Sequence, residues 1–234
     1  MLLAETAEGF GNGSGFFIDR RHVATNAHVV EGAQRVMITN DTIRQPLQAT
    51  VLARTVDDGS GAMPKEDFAI LRLDADVPSA MPMTLGAARR MQAVYASGYP
   101  GFYLENQIRG YFAAIQQGQP ATPPEAVVTN GMVTTIQTAQ RMGGPLGYIP
   151  HTSKIAPGNS GGPLVDNCGR VVGINTFVTQ SDEGNLLLQG DYALTTDALG
   201  RFLQANGITA RNAQGECQPS RLAQAGAAPE EAPE

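Results

Sequence analysis

Short apolar runs, each broken within a few residues by turn formers, set the tightest limit on what this chain can fold into. Val36 to Ile38, Leu47 to Ala53 and Phe68 to Leu73 are rich in β-branched and apolar side chains. Asn40-Asp41 follows the first, and Asp57-Asp58-Gly59-Ser60-Gly61 precedes the last. Upstream, Gly13 to Asp19 reads as a turn entering a strand, and Arg21 to Ala24 as its hairpin return. A second series covers Ala93 to Tyr99, Val127 to Thr135, Tyr148 to Thr152, Gly162 to Val165, Val171 to Val178 and Tyr192 to Leu194. Asp166-Asn167-Cys168-Gly169 reads as a hairpin turn between two of these. Short strands at this spacing predict an all-β barrel or sandwich. The 27 glycines among 234 residues exceed the usual ~7% and suit many turns and bulges.

Val77 to Arg90, with two prolines and several small residues, reads as the connection between two strand series. One helix is predicted near the C-terminal end. Thr196 or Asp197 caps it, Leu199, Phe202 and Leu203 form its apolar stripe, and Gly207 stops it. Beyond Gly215, the Gln, Ala, Pro and Glu residues have few large apolar neighbours and predict a disordered tail or linker. Gly101 to Glu125 breaks the strand rhythm and ends in Pro120-Ala121-Thr122-Pro123-Pro124. It is expected to be a long loop of regulatory or substrate-contacting use.

A net charge of -6 without a long basic run argues against a nucleic-acid partner. No apolar stretch approaches the ~20 residues of a membrane helix. Met1-Leu2-Leu3-Ala4 is too short for a secretion signal, so the protein is made without one or this sequence begins after it. Cys168 and Cys217 match no zinc or haem spacing; no metal and no cofactor is expected. They are two free thiols or one disulfide closing a large loop. The polar surroundings of Cys217 favour the bridge, which implies an oxidising compartment.

The densest chemical signal is Ala156-Pro157-Gly158-Asn159-Ser160-Gly161-Gly162-Pro163-Leu164-Val165. Here a serine stands among three glycines and two prolines, immediately before an apolar run. Such a loop presents a hydroxyl and aims neighbouring N–H groups at one point, where an oxyanion can form. A serine hydroxyl is a poor nucleophile at neutral pH and needs a base, which in turn needs an orienting acceptor. The bases on offer are His22, in a turn, His28, after a strand, and His151, nine residues before the serine. The acceptors are Glu66 and Asp67, at the mouth of the apolar strand from Phe68.

Thr25-Asn26-Ala27-His28-Val29-Val30, Asp67-Phe68-Ala69-Ile70-Leu71, Gly158-Asn159-Ser160-Gly161-Gly162-Pro163-Leu164 and Val172-Gly173-Ile174-Asn175-Thr176 together resemble the trypsin-like serine proteases, and most of all the bacterial Deg/HtrA type. The resemblance runs from about Gly13 to Leu203. It implies two six-stranded antiparallel β-barrels, chymotrypsin-like, with a C-terminal helix. The expected division is 1–85 carrying the histidine and aspartate, 86–210 carrying the serine and the helix, and 211–234 as tail. It also implies His28 as base, Asp67 as orienter, Ser160 as nucleophile, and the N–H groups of Gly158 and Ser160 as oxyanion hole. His151 then falls to a supporting role.

Two departures shape the expectation. The digestive enzymes carry an aspartate before the serine, which pairs with a new N-terminus after cleavage; this chain has Asn159, so no such activation step is expected. Deg/HtrA proteins usually carry PDZ modules after the protease, and none is visible here. Loop ordering switches the oxyanion hole in that type, a control this chain can share. By the same resemblance, Lys154 lies at the base of the primary pocket, Ile155 forms an apolar wall, and Thr176 and Gly190 complete a neutral slot. A lysine there disfavours basic side chains; small or medium apolar ones are expected, with an acidic preference through Lys154 as the alternative. The implied activity is serine endopeptidase on protein or peptide substrates, in the periplasm or outside the cell, with the oligomeric state open. The rival readings are a catalytically silent protease fold used as a scaffold, and an acyltransferase or esterase.

Overall fold

A computed structural model describes residues 1–56, 64–141, 144–182 and 185–217, with backbone alone for 177–182 and 185–190. The turn expected at Asp57 to Gly61 and most of the expected tail, 218–234, lie outside the described residues. The first sheet holds β1 (Leu2–Thr6), β2 (Gly9–Gly13), β3 (Phe16–Phe17), β4 (His22–Thr25), β5 (Arg35–Ile38), β6 (Leu47–Arg54) and β7 (Ala69–Leu73). Its order is β2-β1-β5-β6-β7-β4-β3. The second holds β8 (Ala93–Gly98), β9 (Val127–Met132), β10 (Gln137–Arg141), β11 (Gly144–Pro150), β12 (Pro163–Asp166), β13 (Val171–Asp182) and β14 (Asn185–Thr195). Its order is β10-β11-β14-β13-β12-β8-β9.

Among the described residues each sheet therefore has seven strands, not the six expected. The excess comes from strands without apolar alternation. β10 reads Gln-Thr-Ala-Gln-Arg and sits at a sheet edge, held by its ladder to β11 alone. β2 reads Gly-Phe-Gly-Asn-Gly and is likewise an edge, paired to β1.

The strand period of two explains how β7 ties the molecule together. Ala69, Leu71 and Leu73 point into the core of the first sheet. Phe68 and Ile70 point the other way, into a cluster that also holds Leu146, Val171, Ile174 and Leu194 of the second half. Both faces are buried from Phe68 to Leu71, which is why these four residues are a continuous apolar run; Arg72, beyond them, is exposed.

Among the described residues there are two α-helices, where one was expected. α1 (Gly101–Gln116) replaces most of the predicted loop. Leu104 and Tyr111 are buried, and Ile108, Phe112 and Ile115 pack beside them with Leu3 and Met37 of the first sheet. Positions 104, 108, 111, 112 and 115 are the i, i+4, i+7, i+8, i+11 stripe of an amphipathic helix. The aromatic content and the prolines beyond residue 119 concealed it. α2 (Thr196–Ala205) stands where a helix was predicted, but Thr195 is its cap, accepting from the Ala198 N–H at 3.4 Å, rather than Thr196 or Asp197. Gly207 ends it at φ +74°, a conformation that favours glycine.

Cys168 and Cys217 form a disulfide across 49 residues. Beside it, residues 211–213 lie along the inter-sheet connection: Leu85 N donates to Arg211 O, and Ala213 N to Leu85 O. The second half thus grips the linker from two sides, since Val171 N donates to Thr84 O and Gly86 N to Val171 O.

Candidate active site

His28 opens a short 3-10 turn (His28–Val30) directly after β4, and Asp67 stands two residues before β7. β4 and β7 are ladder neighbours, Thr25 opposite Ala69, so the pairing register sets the two side chains together. His28 Nδ1 lies 2.5 Å from Asp67 Oδ2, and the His28 backbone N–H donates to Asp67 Oδ1 at 3.0 Å. Asp67 is buried while the imidazole is 40% exposed. A buried carboxylate is stable only when its oxygens are satisfied, and here each has one donor from the same residue. With the proton on Nδ1, Nε2 is left as an acceptor on the exposed side of the ring. Asn26 braces the acid from behind, its amide donating to Asp67 O at 2.6 Å and to Thr176 Oγ1 at 3.0 Å.

Ser160 sits in the loop before β12 and is buried. The loop is shaped by backbone conformations that only glycine adopts freely: φ is +100° at Gly158 and +81° at Gly161. Space is as restrictive as angle. A Cβ on Gly158 would come within 2.3 Å of Tyr99 O, and one on Gly161 within 2.2 Å of Thr25 Oγ1. The second contact puts the serine loop against the segment that leads into His28.

Ser14, which carried no role in the sequence, is the main anchor of this loop. Its N–H donates to Ser160 O at 2.9 Å, its hydroxyl donates to Gly158 O at 2.6 Å, and it accepts from Tyr99 N at 2.9 Å. Gly101, at the start of α1, donates to Pro157 O at 2.9 Å. Because a trans peptide holds C=O and N–H on opposite sides, that bond turns the Gly158 N–H away from α1. Among the described residues, neither the Gly158 nor the Ser160 amide donates to a protein acceptor. Two amides without partners on one glycine loop form a ready cradle for an anion.

The remaining candidates fall elsewhere. His151 is buried, neither ring nitrogen is within hydrogen-bond geometry of a partner among the described residues, and burial pushes its pKa down to about 4. It makes no hydrogen bond to Asp67 or Ser160. His22 pairs with Asp19 at 2.8 Å in the β3–β4 turn, and Glu66 precedes the acid that contacts His28. Lys154 is largely exposed and its ammonium pairs with Asp191 Oδ2 at 2.6 Å; the other oxygen accepts from Ile155 N at 3.1 Å. Ile155 is buried in the cluster of Val94, Ile149 and Leu164. Thr176 is buried beside Asn26, and Gly190 pairs with Val178 across β13 and β14. Burial and the nearby Asp67 and Tyr148 raise the pKa of the Tyr192 phenol, whose hydroxyl has no protein partner. The one cluster with metal-like spacing among the described residues, Asp166 with Cys168 and Cys217, has both sulfurs in the disulfide and its carboxylate on Arg170.

Two antiparallel β units bearing this histidine, acid and glycine-loop serine define a chymotrypsin-like fold. Solved structures share it. The Rv3671c protease of M. tuberculosis in its active form matches with TM-score 0.64 at 22% identity, covering 92% of this chain and 83% of that one. The HtrA-type protease AlgW with a decapeptide matches with TM-score 0.58 at 24% identity, covering 83% and 51%. The trypsin-like peptidase domain model matches residues 13–174, and the chain belongs to that family. Among its relatives are protease Do-like 1 of Arabidopsis thaliana, 32% identical over 72% of this chain, and the probable periplasmic serine endoprotease DegP-like of Halomonas elongata, 33% over 71%. The chain spans about a third of the length of these relatives, 33% and 29%.

Proposed function

We propose that the chain is a serine endopeptidase working through an acyl-enzyme. Ser160 Oγ attacks the carbonyl carbon of the scissile bond while His28 Nε2 takes its proton. Asp67 holds the ring in that tautomer and stabilises the imidazolium as it forms. The negative charge developing on the carbonyl oxygen is met by the N–H groups of Gly158 and Ser160. Collapse breaks the C–N bond, and His28 returns the proton to the leaving amine. A water, deprotonated by the same ring, then cleaves the ester and restores the serine. On this reading residues 1–85 supply base and acid, and 86–210 supply the nucleophile.

The observation that carries the reading is His28 held at 2.5 Å on a buried Asp67, with the serine loop packed on the residues leading to that histidine. The decapeptide held by AlgW supports a polypeptide as substrate. Before the scissile bond we propose a small or medium apolar side chain, in a slot bounded by Thr176 and Gly190. Lys154 is neutralised by Asp191, which removes the argument for an acidic preference. The disulfide supports an oxidising compartment, the periplasm or the cell exterior.

A fluorophosphonate probe tests the chemistry. It labels the wild-type chain at Ser160 and leaves Ser160→Ala and His28→Ala unlabelled. A wild-type chain that is never labelled defeats the peptidase reading.

A further inference from the structure

We infer that the groove between β2 and α1 binds the leaving half of the substrate and takes a bulky apolar side chain there. The inference rests on the peptidase reading above. A cavity of about 200 Å³ opens between this edge strand and the helix, walled by Leu3, Phe10, Ile108 and Phe112. An apolar cavity of about 150 Å³ is enough to hold benzene, so an aromatic or branched aliphatic side chain fits. The charged residues on its wall, Glu105 and Arg109, form an ion pair with each other and leave the groove without net charge.

The groove is continuous with the serine loop. Asn12 and Gly101 both line it. Gly101 donates to Pro157 O, and the Asn12 amide donates to Tyr99 O, the carbonyl against which Gly158 is packed. The far end of β2 also reaches the base: a Cβ on Gly13 would meet Val29, the residue after His28, at 2.4 Å. A polypeptide crossing Ser160 therefore has two exits. One leads to β13, where Thr176 stands beside Asn26 and the acid. The other leads across Gly158 into the β2–α1 groove.

The strand on that second exit is built for a peptide. It ends its sheet, carries no proline and no charge, and has open space over Gly9 and Gly11. Natural edges are normally blunted by such residues; an unblunted one accepts an added strand. Phe102 and Tyr103 extend the apolar surface, 84% and 64% exposed, at the first turn of α1 beside Gly101.

The test uses peptides identical up to the scissile bond and differing only in the first two positions after it. We expect kcat/KM for Phe or Leu there to exceed that for Asp or Gly by about 10-fold or more. In Phe112→Ala that ratio falls below about 3-fold, and Ile108→Ala serves as a second variant, read by the same ratio. A wild-type ratio near one, with fluorophosphonate labelling of Ser160 intact, overturns the groove and leaves the peptidase reading standing. A ratio unchanged in both variants also overturns it. A wild-type chain neither labelled nor active on any peptide sinks the peptidase reading, and the groove with it.

Discussion

The corner that holds His28 and the loop that holds Ser160 are fixed in different ways. The corner is closed within one sheet: His28 and Asp67 are 39 residues apart and flank the adjacent strands β4 and β7, whose ladder register brings them together. The loop is closed from outside. Its carbonyls are held by Ser14, between β2 and β3 and 144 residues from Gly158, and by Gly101 at the start of α1. The His28–Asp67 contact is thus a product of one sheet's folding. Ser160 and the two unpartnered amides of its loop take their geometry only once the two halves and the helix have docked. Perturbing the corner should damage chemistry alone, whereas perturbing the docking contacts should damage loop geometry and stability together.

The largest expected effect is on the corner. Asp67→Asn keeps the shape of the side chain but reverses what it offers His28 Nδ1, so the ring loses the tautomer that leaves Nε2 free. We expect kcat to fall about 10⁴-fold with little change in thermal midpoint. A loss under about tenfold would mean that Asp67 does not orient the ring, and the first half of the comparison would collapse.

This asymmetry also decides what could be read from one sequence. The meeting of His28 with Asp67 and the glycine-shaped loop around Ser160 were legible because serine-nucleophile chemistry demands those residue types in short, dense motifs. The strands with apolar runs, such as Phe68 to Leu73, were legible for the same local reason. Ser14 was not, because its importance lies in hydrogen bonds to Tyr99 and Gly158, and nothing near it in sequence signals them. β2 and β10 were missed because a ladder at a sheet edge requires no apolar alternation. α1 was legible in principle: Leu104, Ile108, Tyr111 and Ile115 carry the helical period, but the proline cluster that follows drew the whole segment into a loop. The residues expected to line the pocket show the same limit. Lys154 and Ile155 were identified by position, yet the pairing of one with Asp191 and the burial of the other depend on distant strands.

Reduction of Cys168–Cys217 comes next in size and touches the docked half alone. Closing a loop of 49 residues removes about 4 kcal/mol of chain entropy from the unfolded state. The denaturant midpoint of Cys217→Ser should fall accordingly. The rate of fluorophosphonate labelling, measured well below the transition, should stay within about twofold, since the disulfide lies on the linker side and not at His28. A large loss of labelling in fully folded Cys217→Ser would show that the linker grip reaches the serine loop.

His151 gives the second half its own pH dependence. Its folded pKa is near 4 because burial disfavours the charged ring, whereas an unfolded histidine titrates near 6.5. Between those values the unfolded chain binds the extra proton, so stability is complete above pH 6.5 and is lost as pH falls toward 4. The loss approaches about 3 kcal/mol over that window, at ~1.4 kcal/mol per pH unit. His151→Leu should flatten that slope in urea titrations at pH 7 and pH 4.5. An unchanged slope would assign the acid sensitivity to other groups.

The smallest expected change in stability is also the sharpest test of the comparison. Ser14→Ala deletes one hydroxyl that accepts from Tyr99 N and donates to Gly158 O, leaving both groups buried without that partner. The cost should be about 1–3 kcal/mol in denaturant unfolding. Activity should move further than a stability change alone explains. The freed Gly158 carbonyl loosens the loop between the Gly158 and Ser160 N–H groups, and a displacement of about 1 Å at these proposed oxyanion amides is enough to lower kcat about 10- to 100-fold with KM nearly unchanged. The His28–Asp67 contact lies outside that change, so the pH profile of the residual activity should match the wild type. Ser14→Cys keeps a weak donor in place and should recover part of kcat. If Ser14→Ala loses stability but keeps its full kcat, the loop is held without the first sheet, and the placement of Ser160 is as locally determined as that of His28.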